Sequence, residues 1–361
     1  MAVQFGVHLG PQNASVADLR SLWKWFDSAG MDWISLWDHI YEAPPAGGTQ
    51  AHFEAFSMLG ALAADTVRAR LGCLVFCSQY RNIGVLAKGV ISVDHISGGR
   101  FEMGLGSGWH DQEARAFGLD WPSQGGRFKV MESQLQALEK WRRGERVTQS
   151  SPGVELSDAA MVPGPMGAMP IWIGGVGREK TLRMAGRYAD GWNAAYVPPA
   201  EYRELNGILD DWCAKAGREP SQVERSINLS YGLSNDDVSV VKERLRSQWG
   251  AGADRIIQGS LLGRPADVME QVAAFVDAGA QLVNIAIRPP WDLDVLTEYV
   301  EQVVPAMRRE WSLARRHEDR RPAAPPGNIT QRHPCRVACR RRHGRRLNLG
   351  VGPFLPALRR P

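Results

Sequence analysis

The sequence predicts an α/β fold: a (β/α)8, or TIM, barrel with an insertion after the fourth βα unit. Three observations carry the prediction. Eight strand-like apolar runs are each followed by amphipathic helical sequence over about 310 residues, and ~250 is typical for a barrel without insertions. Runs such as ISLW, LGCLVF and VNIAI are continuously apolar, as in parallel strands covered by helices. A doubly wound open sheet, the competing architecture, would carry a glycine fingerprint after the first strand. Gly10-Pro11-Gln12-Asn13 is not one.

Taken in order, Val3–Leu9 reads as a strand and Val16–Ala29 as a helix with Ser15 at its N-cap. Trp33–Trp37 is the second strand, separated by a Pro/Gly-rich loop from an Ala-rich helix over Phe53–Asp65. Leu71–Cys77 precedes a helix over Gly84–Ile96, and Arg100–Leu105 precedes helical sequence over Asp111–Phe117 and Arg127–Arg143. Gly144–Met169, rich in Gly, Pro and Ser, is the insertion, a loop or short hairpin. The alternation resumes with Pro170–Ile173 and Glu179–Tyr188, then Gly191–Ala194 and Ala200–Ala216. Arg225–Tyr231 and Asp236–Trp249 follow. An extra helix, Pro265–Ala278, with Pro at its first position, leads to the last unit, Leu282–Ile287 and Leu293–Arg308.

The charge is uneven. Of the net +4, residues 313–361 carry +11, from thirteen Arg against Glu318 and Asp319, so the preceding 312 residues stand at −7. The reading is therefore a mildly acidic barrel over residues 1–311 and a disordered Arg/Pro-rich tail over 312–361, too poor in apolar content to offset chain entropy. A nonspecific basic arm and a metal knuckle from His333, Cys335, Cys339 and His343 compete with disorder, but the spacing fits no common zinc site. No specific nucleic-acid partner, membrane span or metal is expected. The start MAVQFGVHLGPQ has neither a basic n-region nor an apolar h-region. Cys73 and Cys77, on one strand, would lie about 13 Å apart, too far for a bridge. These features indicate a reduced, cytoplasmic protein.

In a barrel the chemistry belongs at the carboxyl ends of the strands. The second strand ends in Trp37-Asp38-His39, a pair suited to orienting a ligand and exchanging protons near neutral pH, or simply a hydrogen-bonded structural pair. The fourth ends in Gly104-Leu105-Gly106-Ser107-Gly108-Trp109-His110, whose alternating glycines let something flat approach the backbone. The fifth ends in Ile173-Gly174-Gly175-Val176-Gly177-Arg178 at the start of a helix, a device for binding phosphate. Most of the 13 tryptophans, among them Trp23, Trp25, Trp141 and Trp212, lie in helical sequence and read as packing. His8, His52 and His95 show no metal spacing, and there is no G-x-S-x-G elbow or P-loop.

Two segments together resemble the bacterial luciferase-like oxidoreductases. One runs from Tyr80-Arg81-Asn82 through Leu86-Ala87-Lys88, Asp94-His95-Ile96-Ser97-Gly98-Gly99-Arg100-Phe101 and Gly104–Trp109 to Glu113. The other joins Pro170–Gly177 to Thr181, Ala185 and Ala189-Asp190-Gly191-Trp192. The resemblance spans about Val3 to Met307 and implies a barrel that binds coenzyme F420 or FMN, commonly as a pair of barrels, so a homodimer is expected. It places Asp38 and His39 at the deazaflavin ring, a non-prolyl cis peptide at Leu74-Val75 behind that ring, and the cofactor phosphate at Gly174, Gly175, Val176 and Gly177. Trp109 stands where the family's sugar-phosphate dehydrogenases have a catalytic glutamate. Phe76 and Ile83 replace a small or polar residue and a proline often found there.

The function expected from this resemblance is an F420-dependent oxidoreductase moving a hydride between the deazaflavin and a small organic substrate. His39, oriented by Asp38, is the expected proton donor or acceptor, with His110 a second candidate on the substrate side. The ring would lie over Gly106, Ser107 and Gly108, walled by Leu74, Val75, Phe76 and Trp109. The alternative is an FMNH2-dependent monooxygenase that uses O2 and a partner flavin reductase. A barrel that binds cofactor without catalysis is the reading from outside enzymology.

Overall fold

Phe5, Val7 and Leu9 are fully buried against helices, while the residues between them, His8 included, turn into a barrel. This division sets the architecture. A computed structural model describes residues 3–42 and 47–318. In chain order β1 (Gln4–Leu9) leads to α1 (Val16–Ala29), β2 (Trp33–Leu36) to α2 (Ala55–Asp65), and β3 (Arg70–Cys77) to α3 (Ile83–Ser97). β4 (Phe101–Gly106) leads to the short α4 (Asp111–Ala116) and to α5 (Gln124–Arg142). The insertion is an antiparallel hairpin of β5 (Val147–Ser151) and β6 (Val154–Ala159), tied back to α5 by the Trp141 indole on the Ala159 carbonyl at 3.0 Å. Then come β7 (Ile171–Gly174) with α6 (Thr181–Tyr188), and β8 (Gly191–Ala195) with α7 (Pro199–Lys215). β9 (Glu224–Leu233) is followed by α8 (Val238–Trp249), α9 (Ala253–Gln258), β10 (Ser260–Gly263) and α10 (Met269–Asp277). β11 (Leu282–Ile287) precedes α11 (Leu293–Glu298), a π-helical turn Tyr299–Val303, and α12 (Val304–Glu318).

Eight strands close on themselves through parallel ladders in the cyclic order β1-β2-β3-β4-β7-β8-β9-β11. This is the expected (β/α)8 barrel, and the boundaries of its eight strands agree with the sequence reading to within two residues. β10 was not anticipated. It pairs with Ser230–Leu233, the part of β9 that runs on beyond its pairing with β8. Four residues without a pattern of their own become a strand only because β9 offers that edge. α1 has Ser15 as its N-cap, as expected, with the Ser15 hydroxyl accepting the Asp18 N–H at 3.1 Å, and Asp18 completes a capping box.

α12 runs to Glu318, past the expected barrel limit at residue 311, and Trp311 stacks on Phe5 with ring centroids 5.9 Å apart. The rest of the expected tail, including the candidate knuckle His333, Cys335, Cys339 and His343, lies outside the described residues. Cys73, Cys77 and Cys213 are buried free thiols. Among the described residues no helix is long and apolar enough to cross a membrane.

The barrel interior is graded along its axis. At the amino end Arg70 donates to Glu102 at 2.9 Å and to Glu224 at 2.8 Å, and its guanidinium lies over Trp33 and Trp172. Those two tryptophans are fully buried inside the barrel, unlike the helical tryptophans that the sequence reading emphasised. Above them Asn193 donates to Ser226 and Asn228, and Asn284 donates to Asn228. Strands that read as apolar on both faces thus carry polar groups inward, most of them bonded to one another, while Trp33 Nε1 and Asn284 Oδ1 have no partner among the described residues. Replacing Arg70 by Leu strands the nearly buried Glu102 carboxylate. We expect a loss of about 3–5 kcal/mol in denaturant unfolding, and a variant as stable as the parent would remove this ion pair from the account.

Candidate active site

The site is assembled at the carboxyl end of the barrel, where loops after β1, β2, β3, β4 and β11 meet. Glu113, in the first turn of α4, has a fully buried side chain and four partners. Its Oε1 accepts from His39 Nδ1 at 2.6 Å and from the Tyr80 hydroxyl. Its Oε2 accepts the Ile40 and Tyr41 N–H groups at 2.8 and 2.9 Å. Burial alone would raise this carboxyl, but the bond from His39 and its charge, with the Tyr41 and Tyr80 donors, hold it at about 2. An ionised Glu113 requires a proton on His39 Nδ1, which leaves Nε2 as the exchanging nitrogen. Among the described residues Nε2 has no partner.

This arrangement corrects the sequence expectation for Asp38. Its buried Oδ2 accepts from Arg81 at 2.6 Å and from the Cys77 N–H at 3.1 Å, and Arg81 reaches on to Glu54 at 2.7 Å. Burial pushes the Asp38 carboxyl up while Arg81 opposes it. Asp38 therefore ties the β2 loop to the end of β3, and Glu113 orients His39.

His110 has its ring 5.9 Å from His39 and 4.9 Å from Trp109. Its buried Nε2 has no partner among the described residues. Burial lowers its pKa, against the pull of Glu113 and with the help of His39. Trp109 is 62% exposed and meets the His39 ring edge-on at 5.3 Å.

The wall opposite differs from the expectation in detail. The Leu74–Val75 peptide is cis, as the resemblance implied, and the β3–β4 pairing slips there, between Cys73 and Phe76. The slip returns Phe76 to the outer core, where it is fully buried and stacked on Phe56 at 4.9 Å. Phe76 does not line the site. Leu74 plugs the barrel among Trp33, Trp172 and Leu282. Val75 is the residue that faces the glycines: a Cβ on Gly106 would lie 2.5 Å from its Cγ2, and one on Gly174 would lie 2.8 Å from its Cγ1. These glycines admit Val75, whose side chain forms a ledge over Gly106 and Gly174. Gly108 packs on Cys77 and Trp121.

At Gly174–Gly177, Gly175 has φ +123° and donates its N–H to the Asn193 carbonyl at 2.9 Å, so it is not itself a free donor. The N–H groups of Val176, Gly177 and Arg178, at the entry to α6, find no acceptor among the described residues.

Several contributors were not singled out from the sequence. His8, at the end of β1, bonds Ser35 Oγ through Nδ1 at 2.8 Å and meets Trp37 edge-on. Burial, with Arg288 and His39 nearby, holds its pKa at about 3. Arg288 lies over the Trp37 ring at 5.5 Å. Tyr80, Arg81 and Glu113 belonged to the family-like pattern, but no spacing rule joins residues on three separate loops.

Both His8 and Glu113 bind protons more weakly in the folded chain than in the unfolded one. Stability should therefore fall with pH, from 6.5 downward for His8 and from 4.5 downward for Glu113. Urea midpoints measured from pH 7 to 4 should drop, and His8→Gln should flatten the segment above 4.5. An unchanged slope in that variant would exclude His8 as the cause.

A profile of the luciferase-like monooxygenases matches residues 1–257. The chain belongs to that family. The luciferase-like chain is 30% identical over 239 residues to an F420-dependent glucose-6-phosphate dehydrogenase of Microbacterium testaceum (strain StLB037), covering 65% of this chain and 70% of that protein. It superposes on an F420-dependent secondary alcohol dehydrogenase, solved with an F420-acetone adduct, with a TM-score of 0.74 at 18% identity, over 85% of this chain and 99% of that one. The FMN complex of the oxygenating constituent of 3,6-diketocamphane monooxygenase from Pseudomonas putida gives 0.65 at 14% identity, over 83% and 96%. The two structural likenesses establish the barrel of this luciferase-like protein.

Proposed function

We propose that the chain is an F420-dependent oxidoreductase that interconverts an alcohol and a carbonyl group on a small organic substrate, with His39 carrying the proton. The observation that carries this reading is the His39–Glu113 pair, with its one uncommitted nitrogen, beside the Val75 ledge. The relatives support it, since the dehydrogenases named above act at a carbon–oxygen bond. When bound, the deazaflavin supplies a two-electron hydride donor and acceptor.

This chain's residues fit that group. Val75 offers an apolar face for a flat ring. The Val176, Gly177 and Arg178 N–H groups, at the positive end of α6, would hold its phosphate. In alcohol oxidation the hydroxyl proton passes to His39 Nε2, and Glu113 stabilises the resulting imidazolium. In carbonyl reduction the same nitrogen returns it. Trp37 and Trp109 flank His39 and limit water around it. A tryptophan at 109 in place of the glutamate of the sugar-phosphate dehydrogenases favours a substrate other than a sugar phosphate. The pairing of two barrels and a cytoplasmic setting belong to the same reading.

The test is titration of the full chain with F420 and, separately, with FMN, followed by visible absorption. Retention of F420 with little uptake of FMN is expected, and the reverse would overturn the reading in favour of the monooxygenase. For the phosphate loop, Gly175 is a poor target because its φ strains any side chain. Val176→Asp should weaken F420 by at least about tenfold through charge opposition, with little change in melting temperature. Unchanged affinity would remove the loop from the site.

A further inference from the structure

Beside the His39 site, at the carboxyl ends of β9 and β11 and under α8, lies a cleft of about 590 Å³, within the range of small-molecule sites. Tyr231, Trp249, Trp291, Pro289 and Leu233 give it apolar walls, beside nearly as much polar lining that includes Ser234 and Asn235. Its charges are unequal in what they have left to offer. Asp236 is paired with Arg244 at 2.7 Å, and Asp292 caps α11 by accepting the Val295 N–H at 3.2 Å. Arg288 has no carboxylate and no hydrogen-bond acceptor among the described residues. Its guanidinium lies over two rings, Trp249 at 4.7 Å and Trp37 at 5.5 Å. Two further groups in the lining are buried without partners, the Tyr231 hydroxyl and the Trp291 Nε1–H.

From this geometry we infer that the cleft takes the substrate itself, and that the substrate carries a carboxylate on an apolar or aromatic body, with Arg288 as the residue that selects it. The physical reason is local. Resting over two tryptophan rings holds the guanidinium in place, and with no hydrogen-bond acceptor among the described residues its N–H edge can receive a carboxylate in two parallel bonds. The aromatic and proline walls match a flat apolar body. Trp37 connects the two sites: one face of its surroundings is Arg288 and the other is His39, at 6.5 Å between ring centroids. A molecule anchored at Arg288 thus extends toward the proton-carrying nitrogen. Arg288 is a binding residue that acts on specificity and takes no part in proton transfer.

The inference rests on the alcohol–carbonyl reading, so the experiment separates the two. The full-length protein is titrated by calorimetry with 4-acetylbenzoate and with its methyl ester, which share a body and a ketone and differ in charge. Wild type is expected to bind the acid at least about tenfold more tightly than the ester. Arg288→Gln should abolish that preference by weakening the acid alone, while Arg288→Lys, which keeps the charge without the fork, should retain part of it. F420 affinity should be unchanged in both variants. With reduced F420 present, the loss in Arg288→Gln should appear in KM for the acid, with kcat nearly preserved. Equal binding of acid and ester by wild type, or a preference that survives Arg288→Gln, would overturn the inference. A wild type that keeps the Arg288-dependent preference but binds no F420 would instead overturn the cofactor reading and leave the anion site standing. Should Arg288→Gln fail to fold, judged by circular dichroism, Arg288→Lys and the wild-type acid-to-ester ratio still decide the matter.

Discussion

Replacing His39 with Ala is expected to lower turnover by at least about 10²-fold, the scale of a lost general acid or base, with a much smaller change in F420 affinity. The expectation follows from the disposition of the ring. Nδ1 is committed to Glu113 at 2.6 Å, so Nε2 is the one nitrogen that can exchange a proton with substrate. Glu113→Gln tests the same unit from behind. A glutamine has the shape of the glutamate but cannot accept from His39 Nδ1, Tyr80, Ile40 N–H and Tyr41 N–H together. It should reduce kcat by a similar order and move the pH–rate profile. The double variant should be little worse than His39→Ala alone, since residues that act as one device are not additive. Steady-state kinetics over a pH series measures all three. A His39→Ala enzyme turning over at the parent rate would remove this histidine from the mechanism.

The largest effect on stability is expected at Gly104. A Cβ there would stand 2.1 Å from the Cys73 carbonyl oxygen, and that atom is backbone on the neighbouring strand. Nothing can rotate out of the way, so relief requires β3 and β4 to separate. Gly104→Ala should cost more than about 4 kcal/mol or prevent folding, the range reserved for gross overpacking. Gly106→Ala is the informative comparison. Its Cβ meets only the Val75 side chain, at 2.5 Å, and that side chain can be displaced. The cost should be about 1–3 kcal/mol, with Val75 pushed toward the site and F420 affinity reduced. Chemical denaturation of both variants separates the cases. A Gly104→Ala chain with parental stability would show that the strands are not held this closely.

Most of the fold was legible because its signals are local. Ser15 and Asp18 cap a helix three residues apart, and eight apolar runs alternate with helical sequence whatever their neighbours do. The loop or hairpin expected between Gly144 and Met169 is the β5–β6 hairpin. β10 escaped notice because its pairing exists only once β9 overruns β8.

The candidate site divides along the same line. By itself the sequence determined the barrel and the presence of His39, His110, Trp109 and two glycine-rich segments at the carboxyl ends of its strands. Tertiary structure decided which of these residues meet. His39 and Glu113 are 74 residues apart and share a bond because loops after β2 and β4 converge. Asp38, adjacent to His39 in the chain, turns away to Arg81. Phe76 and Val75 exchange faces through one slip in the β3–β4 pairing. Chain adjacency sets neither the direction of a side chain after a strand ends nor its partner. Those depend on the backbone path and on which buried charge must be satisfied, and both are properties of the closed barrel.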